Sequence, residues 1–147
     1  MKSFILVLAV ISIICISSFA LMVGFTGGAI SVGTELSPST FIYAGISYPL
    51  GIMAGGGMKI GDLYNLDFGK SSTGQEIGSI KIGYGAVADV EVYSFLGVYG
   101  SVFAGPALIL NAYFPTVNVK TLSYTAIGFS WPSYSLLTMS GGIFYVF

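Results

Sequence analysis

Between Glu76 and Val92 the chain alternates with a period of two. The even positions after Glu76 are Gly78, Ile80, Ile82, Tyr84, Ala86, Ala88, Val90 and Val92. The odd positions are Ile77, Ser79, Lys81, Gly83, Gly85, Val87, Asp89 and Glu91. Successive side chains of a strand point to opposite faces, so the stretch reads as a strand with one apolar face and one face of small or charged residues. A one-sided soluble sheet gives the same pattern. The rest of the chain decides between them: 54% of its 147 residues are hydrophobic and only 7% are charged, where a soluble domain carries about 25% charged residues. A water-soluble surface is very hard to build from such a chain. Lipid outside and a polar or tightly filled interior account for both the pattern and the composition.

Inside a bilayer only helices and closed barrels satisfy every backbone polar group. Helices are a serious alternative. Tyr93 to Val119 and Thr121 to Phe147 are uncharged, and about 20 residues suffice for a helical span. A multi-span helical inner-membrane protein therefore competes with a barrel. Against it stand the alternation, the 21 glycines, and the abundance of Tyr, Phe, Val, Ile and Thr, which favour strands. The expected fold is all-β: a membrane-spanning, up-and-down antiparallel barrel of eight strands. The strands are Met22 to Glu35, Thr40 to Tyr48, Gly51 to Tyr64, Gln75 to Ala88, Val92 to Ala104, Ala107 to Phe114, Asn118 to Ser130, and Tyr134 to Phe147. Pro lacks the N–H that a central ladder needs, so Pro38, Pro49, Pro106, Pro115 and Pro132 mark breaks. The break at Pro106 also keeps the count even, as is general for single-chain bacterial barrels. An even count puts both termini at the periplasmic end. The longest loop, Asn65 to Gly74, falls in this scheme at the outer end.

Residues paired across a hairpin have a constant sum, and an even sum keeps the odd positions on one face. A turn centred on Pro38 pairs Glu35 with Phe41 and Gly33 with Tyr43. One centred on Leu50 pairs Tyr43 with Gly57 and Phe41 with Lys59. A loop centred on Lys70 sets Lys59 opposite Lys81, and a turn centred on Val90 sets Phe95 beside Gly85. These odd positions then line the lumen. Tyr43, Phe95, Tyr99 and Phe103 become lumen aromatics, with Tyr43 lying over glycines that leave it room. Glu35, Lys59 and Lys81 become a charged cluster near the outer end, the carboxylate offsetting the repulsion of two facing lysines. An eight-stranded barrel is filled by its own side chains, so no wide channel is expected. Tyr48, Tyr84, Tyr113, Trp131 and Tyr134 suit aromatic girdles at a membrane surface.

What the chain lacks limits its chemistry. It has no His and no Arg, and its only Cys is Cys15. A Ser-His or Cys-His catalytic pair is excluded, as are His- or Cys-based zinc sites. The expectation is a protein that is not an enzyme and uses no cofactor or metal. Beyond residue 20, four lysines stand against six carboxylates, which leaves no basic patch for nucleic acid. Gly69-Lys70-Ser71 lacks the earlier glycine of a phosphate-binding loop, since Tyr64 stands there. Gly55-Gly56-Gly57 marks packing space within a strand rather than a nucleotide fingerprint. Asp62, Asp67 and Glu76 read as a solvated loop, and Asp89 and Glu91 as a wet turn.

The two ends of the sequence agree on an address. Met1-Lys2-Ser3 precedes an almost wholly apolar stretch from Phe4 to Ile16, and Ser18 and Ala20 form a small-x-small cleavage site. This is the layout of a secretory signal peptide over residues 1–20, leaving a barrel domain over 21–147. At the other end Phe147, Tyr145, Ile143, Gly141 and Met139 share one face of a strand. The terminal Tyr145-Val146-Phe147 resembles the last strand of bacterial outer-membrane β-barrel proteins, which commonly ends Tyr-x-Phe. That resemblance implies a cell outer membrane location in a Gram-negative-type envelope, with the lipid bilayer as partner. It also implies insertion by the outer-membrane assembly machinery, with Tyr145 and Phe147 as the signal that the machinery reads. The expected role is that of a small barrel of structural or surface-interaction type with a largely filled lumen. The alternative within the same fold is a narrow, porin-like channel or transporter for small, even apolar, molecules.

Overall fold

The structure, a computed structural model, describes residues 20–47, 51–93, 99–132 and 135–147. The expected export segment falls almost wholly outside these residues, and Ala20 opens the first strand. Eight strands follow in order: β1 (Ala20–Thr26), β2 (Ala29–Ser37), β3 (Thr40–Ser47), β4 (Gly51–Asp67), β5 (Ser79–Tyr93), β6 (Tyr99–Phe114), β7 (Val119–Trp131) and β8 (Ser135–Val146). Each pairs antiparallel with the next, and β1 pairs with β8, so the sheet closes into a barrel without an open edge between first and last strands. The Phe147 N–H adds a bond to the Leu21 carbonyl at 2.8 Å, continuing that seam past the end of β8.

The expected count of eight is met by a different division of the chain. Met22 to Glu35 is not one strand but a hairpin. Gly27 and Gly28 take φ of +51° and +89°, the pair of positive values that a two-residue hairpin turn demands and that glycine adopts without a steric penalty. The two strands expected on either side of Pro106 are one, β6. Pro106 lies opposite Ala86 of β5, while on the β7 side the pairing runs from Ala104–Phe129 directly to Ala107–Ala126. The proline thus sits at a gap in one ladder, where its missing donor has no partner to deprive. No turn is centred on Val90, since β5 continues to Tyr93 and pairs Tyr93 with Tyr99. The helical alternative is disfavoured: both long uncharged runs contain strands, and among the described residues no helix is long and apolar enough to cross a membrane.

Alternation around the barrel produces two surfaces of opposite character. In β5 the odd residues Gly83, Gly85, Val87 and Asp89 are buried, while Tyr84, Ala86, Ala88 and Val90 are exposed. The core is the lumen itself, filled by Met22, Phe41, Val87, Ile109, Leu122 and Phe144 among others. The outer wall carries Ile30, Ile46, Leu108, Ile127, Met139 and Ile143, all exposed. Up-and-down order places both termini, the Pro38–Ser39 turn, the 68–78 loop and the short 3-10 turn Pro115–Val117 at one end. The longest loop therefore shares its end with the termini and does not lie opposite them, as the sequence scheme had it.

Candidate functional site

Two layers of the lumen hold the polar groups of interest. The first lies in its middle. Phe41 and Tyr43 come from β3, Tyr124 from β7 and Phe144 from β8, with ring centroids 5.5–6.3 Å apart. Tyr43 sits over Gly55, where an added Cβ would lie 2.7 Å from its hydroxyl oxygen. A glycine here is what lets a phenol ring fill a narrow barrel. The Tyr43 and Tyr124 hydroxyls are 2.7 Å apart. Tyr43 in turn donates to Asp89 Oδ2 at 3.4 Å, and Ser140 donates to the same oxygen at 3.0 Å. Asp89 is buried. Its carboxylate is tolerable there because these hydroxyls replace part of its hydration. Toward the end away from the termini, Ser47 donates to Glu91 at 2.9 Å, and Thr26 and Ser31 share a bond of 2.6 Å.

The second layer is a vestibule at the termini end, a cavity of about 230 Å³ bordered by Glu35, Lys59, Lys81, Asn111, Tyr113 and Lys120. Lys120 forms an ion pair with Glu35 across the lumen. Lys59 pairs with Asp62 at 2.8 Å. Three residues apart on a regular strand, those two would face opposite ways. A bulge between Lys59 and Gly61 inserts Ile60 as an extra residue and turns Asp62 back to the lysine's face. Adjoining the vestibule is a void of about 10 Å³, bordered by Glu35, Lys59, Phe41, Ile109, Asn111 and Leu122 among others, at the threshold for a single water molecule.

The sequence-derived residues distribute as follows. Glu35 opposes Phe41 and Gly33 opposes Tyr43, as the Pro38 turn requires. The next hairpin is offset by two residues: Tyr43 opposes Gly55, not Gly57, and Phe41 opposes Gly57, not Lys59. Parity survives that shift, so the facing assignment holds while the partners change. Lys59 opposes Gly85, and Lys81 opposes Asn65 and Asn111, so the two lysines are not cross-strand neighbours. They meet Glu35 only as fellow lining of the vestibule, and the carboxylate's partner is Lys120, which sequence reasoning passed over. Phe103 is buried in the lumen beside Asp89. Phe95 and the Tyr99 side chain lie outside the described residues. Tyr145 and Phe147 are on the outer wall with rings 4.7 Å apart, and the Tyr145 hydroxyl donates to the Asn118 carbonyl at 2.9 Å. Tyr84 and Trp131 are exposed outside, Tyr113 is an exposed residue that borders the vestibule, opposite Lys120, and Tyr48 and Tyr134 lie outside the described residues.

Asp89 is the largest correction at the level of single residues. Taken from the sequence as part of a wet turn, it is a buried lumen carboxylate, because the turn assigned to Val90 does not exist. The signal was present in the alternation, which places Asp89 on the same face as Lys81, Gly85 and Val87. The loop carboxylate Asp67 accepts the Gly69 N–H at 2.8 Å and so shapes its own turn. Comparison with the known protein families, with curated proteins and with solved structures finds no match for this chain.

Proposed function

We propose that this protein is a small membrane-spanning β-barrel of the outer-membrane type, structural or interactive in role rather than a conduit. One observation carries the reading: the outer wall is apolar where that of a soluble barrel is polar. Its outward positions are Ile, Leu, Val, Met and aromatic residues, with Ile46 and Met139 each 69% exposed, while buried Asp89, Ser31, Thr26 and Ser47 face inward. Exposed apolar area on this scale has no place in water. Tyr145 and Phe147 near one end and Trp131 near the other suit the interfacial girdles of such barrels. A spanning strand needs about 9–11 residues, and β4 to β8 have 12 to 17.

The aromatic layer supports the preference for a closed role. Phe41, Tyr43, Tyr124 and Phe144 pack against one another across the lumen, which favours a filled interior over a conduit. Export through a cleaved N-terminal segment, an outer-membrane location, and delivery to the assembly machinery by the Tyr145–Phe147 end belong to the same proposal. The seam position of Phe147 against Leu21 is where such a signal also closes the barrel. The test is expression of the full chain in a Gram-negative-type host, followed by membrane fractionation and planar-bilayer recording. The expected protein has lost about 20 residues by mass, co-fractionates with outer membrane, migrates differently when heated, and gives no conductance steps. Retention of the N-terminal segment with inner-membrane fractionation would overturn the location. Regular conductance steps would overturn the closed role and revive the channel alternative.

A further inference from the structure

We infer that the vestibule is a binding site for a small phosphate ester that carries a free hydroxyl, of the glycerol phosphate kind. Three of the four lysines among the described residues, Lys59, Lys81 and Lys120, border this one cavity. In a chain with so few charges, gathering them in one place needs a reason, because like charges at close range repel. Only two carboxylates answer them. Glu35 takes Lys120 and Asp62 takes Lys59. Asp62 lies on the rim, within electrostatic reach of Lys81 as well. Among the described residues Lys81 makes no ion pair, so one positive charge stands uncompensated at the cavity. An anion supplies the missing negative charge, and a phosphate accepts from several ammonium groups at once.

A second observation defines the rest of the ligand. The Asn111 side-chain oxygen is buried and has no hydrogen-bond partner, and the residue borders both the vestibule and the small void that adjoins it. A buried acceptor left unmet costs roughly 1–3 kcal/mol. The dianionic phosphate of an ester has no donor to offer it, whereas a hydroxyl elsewhere on the ester has one. The volume of about 230 Å³ is below the roughly 300 Å³ at which pockets for drug-sized ligands begin, so the recognised part is small. Such a group comes either as a soluble molecule or as the headgroup of a lipid, and the cavity opens at the barrel rim where both have access.

The experiment uses the protein purified from membranes in a zwitterionic detergent and reads its thermal unfolding. One arm titrates soluble glycerol 3-phosphate, and the other dopes the micelles with phosphatidylglycerol. A saturable rise with the soluble ester assigns a free ligand, and a rise with the lipid alone assigns a headgroup. Lys81→Met is expected to weaken the responding arm at least tenfold, and Lys70→Met, in the 68–78 loop and not among the vestibule's lining residues, to leave it unchanged. Glycerol by itself is expected to do nothing. No rise in either arm, or equal responses from the two lysine variants, overturns the site. Line broadening of the ester's ³¹P resonance by the unaltered protein detects the bound ester without a variant, and its absence together with silence in the lipid arm also overturns the site. Because the soluble arm needs no bilayer, failure of the site and failure of the membrane reading are separable.

Discussion

The middle of the lumen and its vestibule are built from the same strands yet solve opposite problems. In the middle, rings from β3, β7 and β8 pack against each other, and the one carboxylate, Asp89, is met by hydroxyls. In the vestibule, ammonium and carboxylate groups pair directly at the border of an open cavity, with the side chains of Lys120 and Asp62 38% and 56% exposed. The difference lies in solvent. Desolvated aromatic packing holds the barrel together, whereas half-solvated ion pairs are screened and contribute little. The wall fixes where both layers stand, and the vestibule keeps the freedom to exchange partners.

Substitutions can break that contrast. Tyr43→Ala is expected to have the largest effect. It empties the centre of the aromatic layer and deprives Tyr124 and Asp89 of a partner, and truncating a buried aromatic costs about 3–5 kcal/mol. Denaturant unfolding in detergent measures it. Gly55→Val comes next. Its new side chain would meet Tyr43, the Asp89 Cβ and the Ala88 carbonyl, each 2.7 Å from the first added carbon, and overpacking of this kind costs about 1–3 kcal/mol. The same titration should show it, with a double variant Gly55→Val/Tyr43→Phe recovering part of the loss. Glu35→Gln should have the smallest effect, under about 1 kcal/mol, since its lysine partner is partly in water. That loss should shrink further in high salt. A Glu35→Gln loss equal to that of Tyr43→Ala would mean the vestibule pair, not the packed rings, holds the barrel shut.

Legibility from sequence followed the reach of each signal. Inward and outward facing in β3 to β6 was readable, because parity depends only on neighbouring residues and survives a register shift of two. The partners of Tyr43 and Phe41 were not, because the centre of a turn moves them by whole pairs. The Lys59–Asp62 pair depends on a bulge at Ile60, which no alternation count announces. The Gly27-Gly28 hairpin did have a signal, a glycine pair between apolar runs, obscured by runs that stay apolar on both sides. Conversely, Pro106 carried a misleading one: its ring breaks a ladder only where a partner strand needs its donor, and β7 does not.

What the sequence by itself determined is the chemistry of the two surfaces. Period-two alternation in an uncommonly apolar chain dictates strands, and a sheet with so much apolar surface facing out must close on itself. Only the tertiary structure decided which side chains meet inside. Closure with a stagger brings β3 against β7 and β2 against β7 across the lumen. Tyr43 thereby meets Tyr124, 81 residues away in the chain, and Glu35 meets Lys120, 85 residues away. Such contacts depend on the shear of the whole barrel, a property of eight registers together that no local pattern of residues encodes.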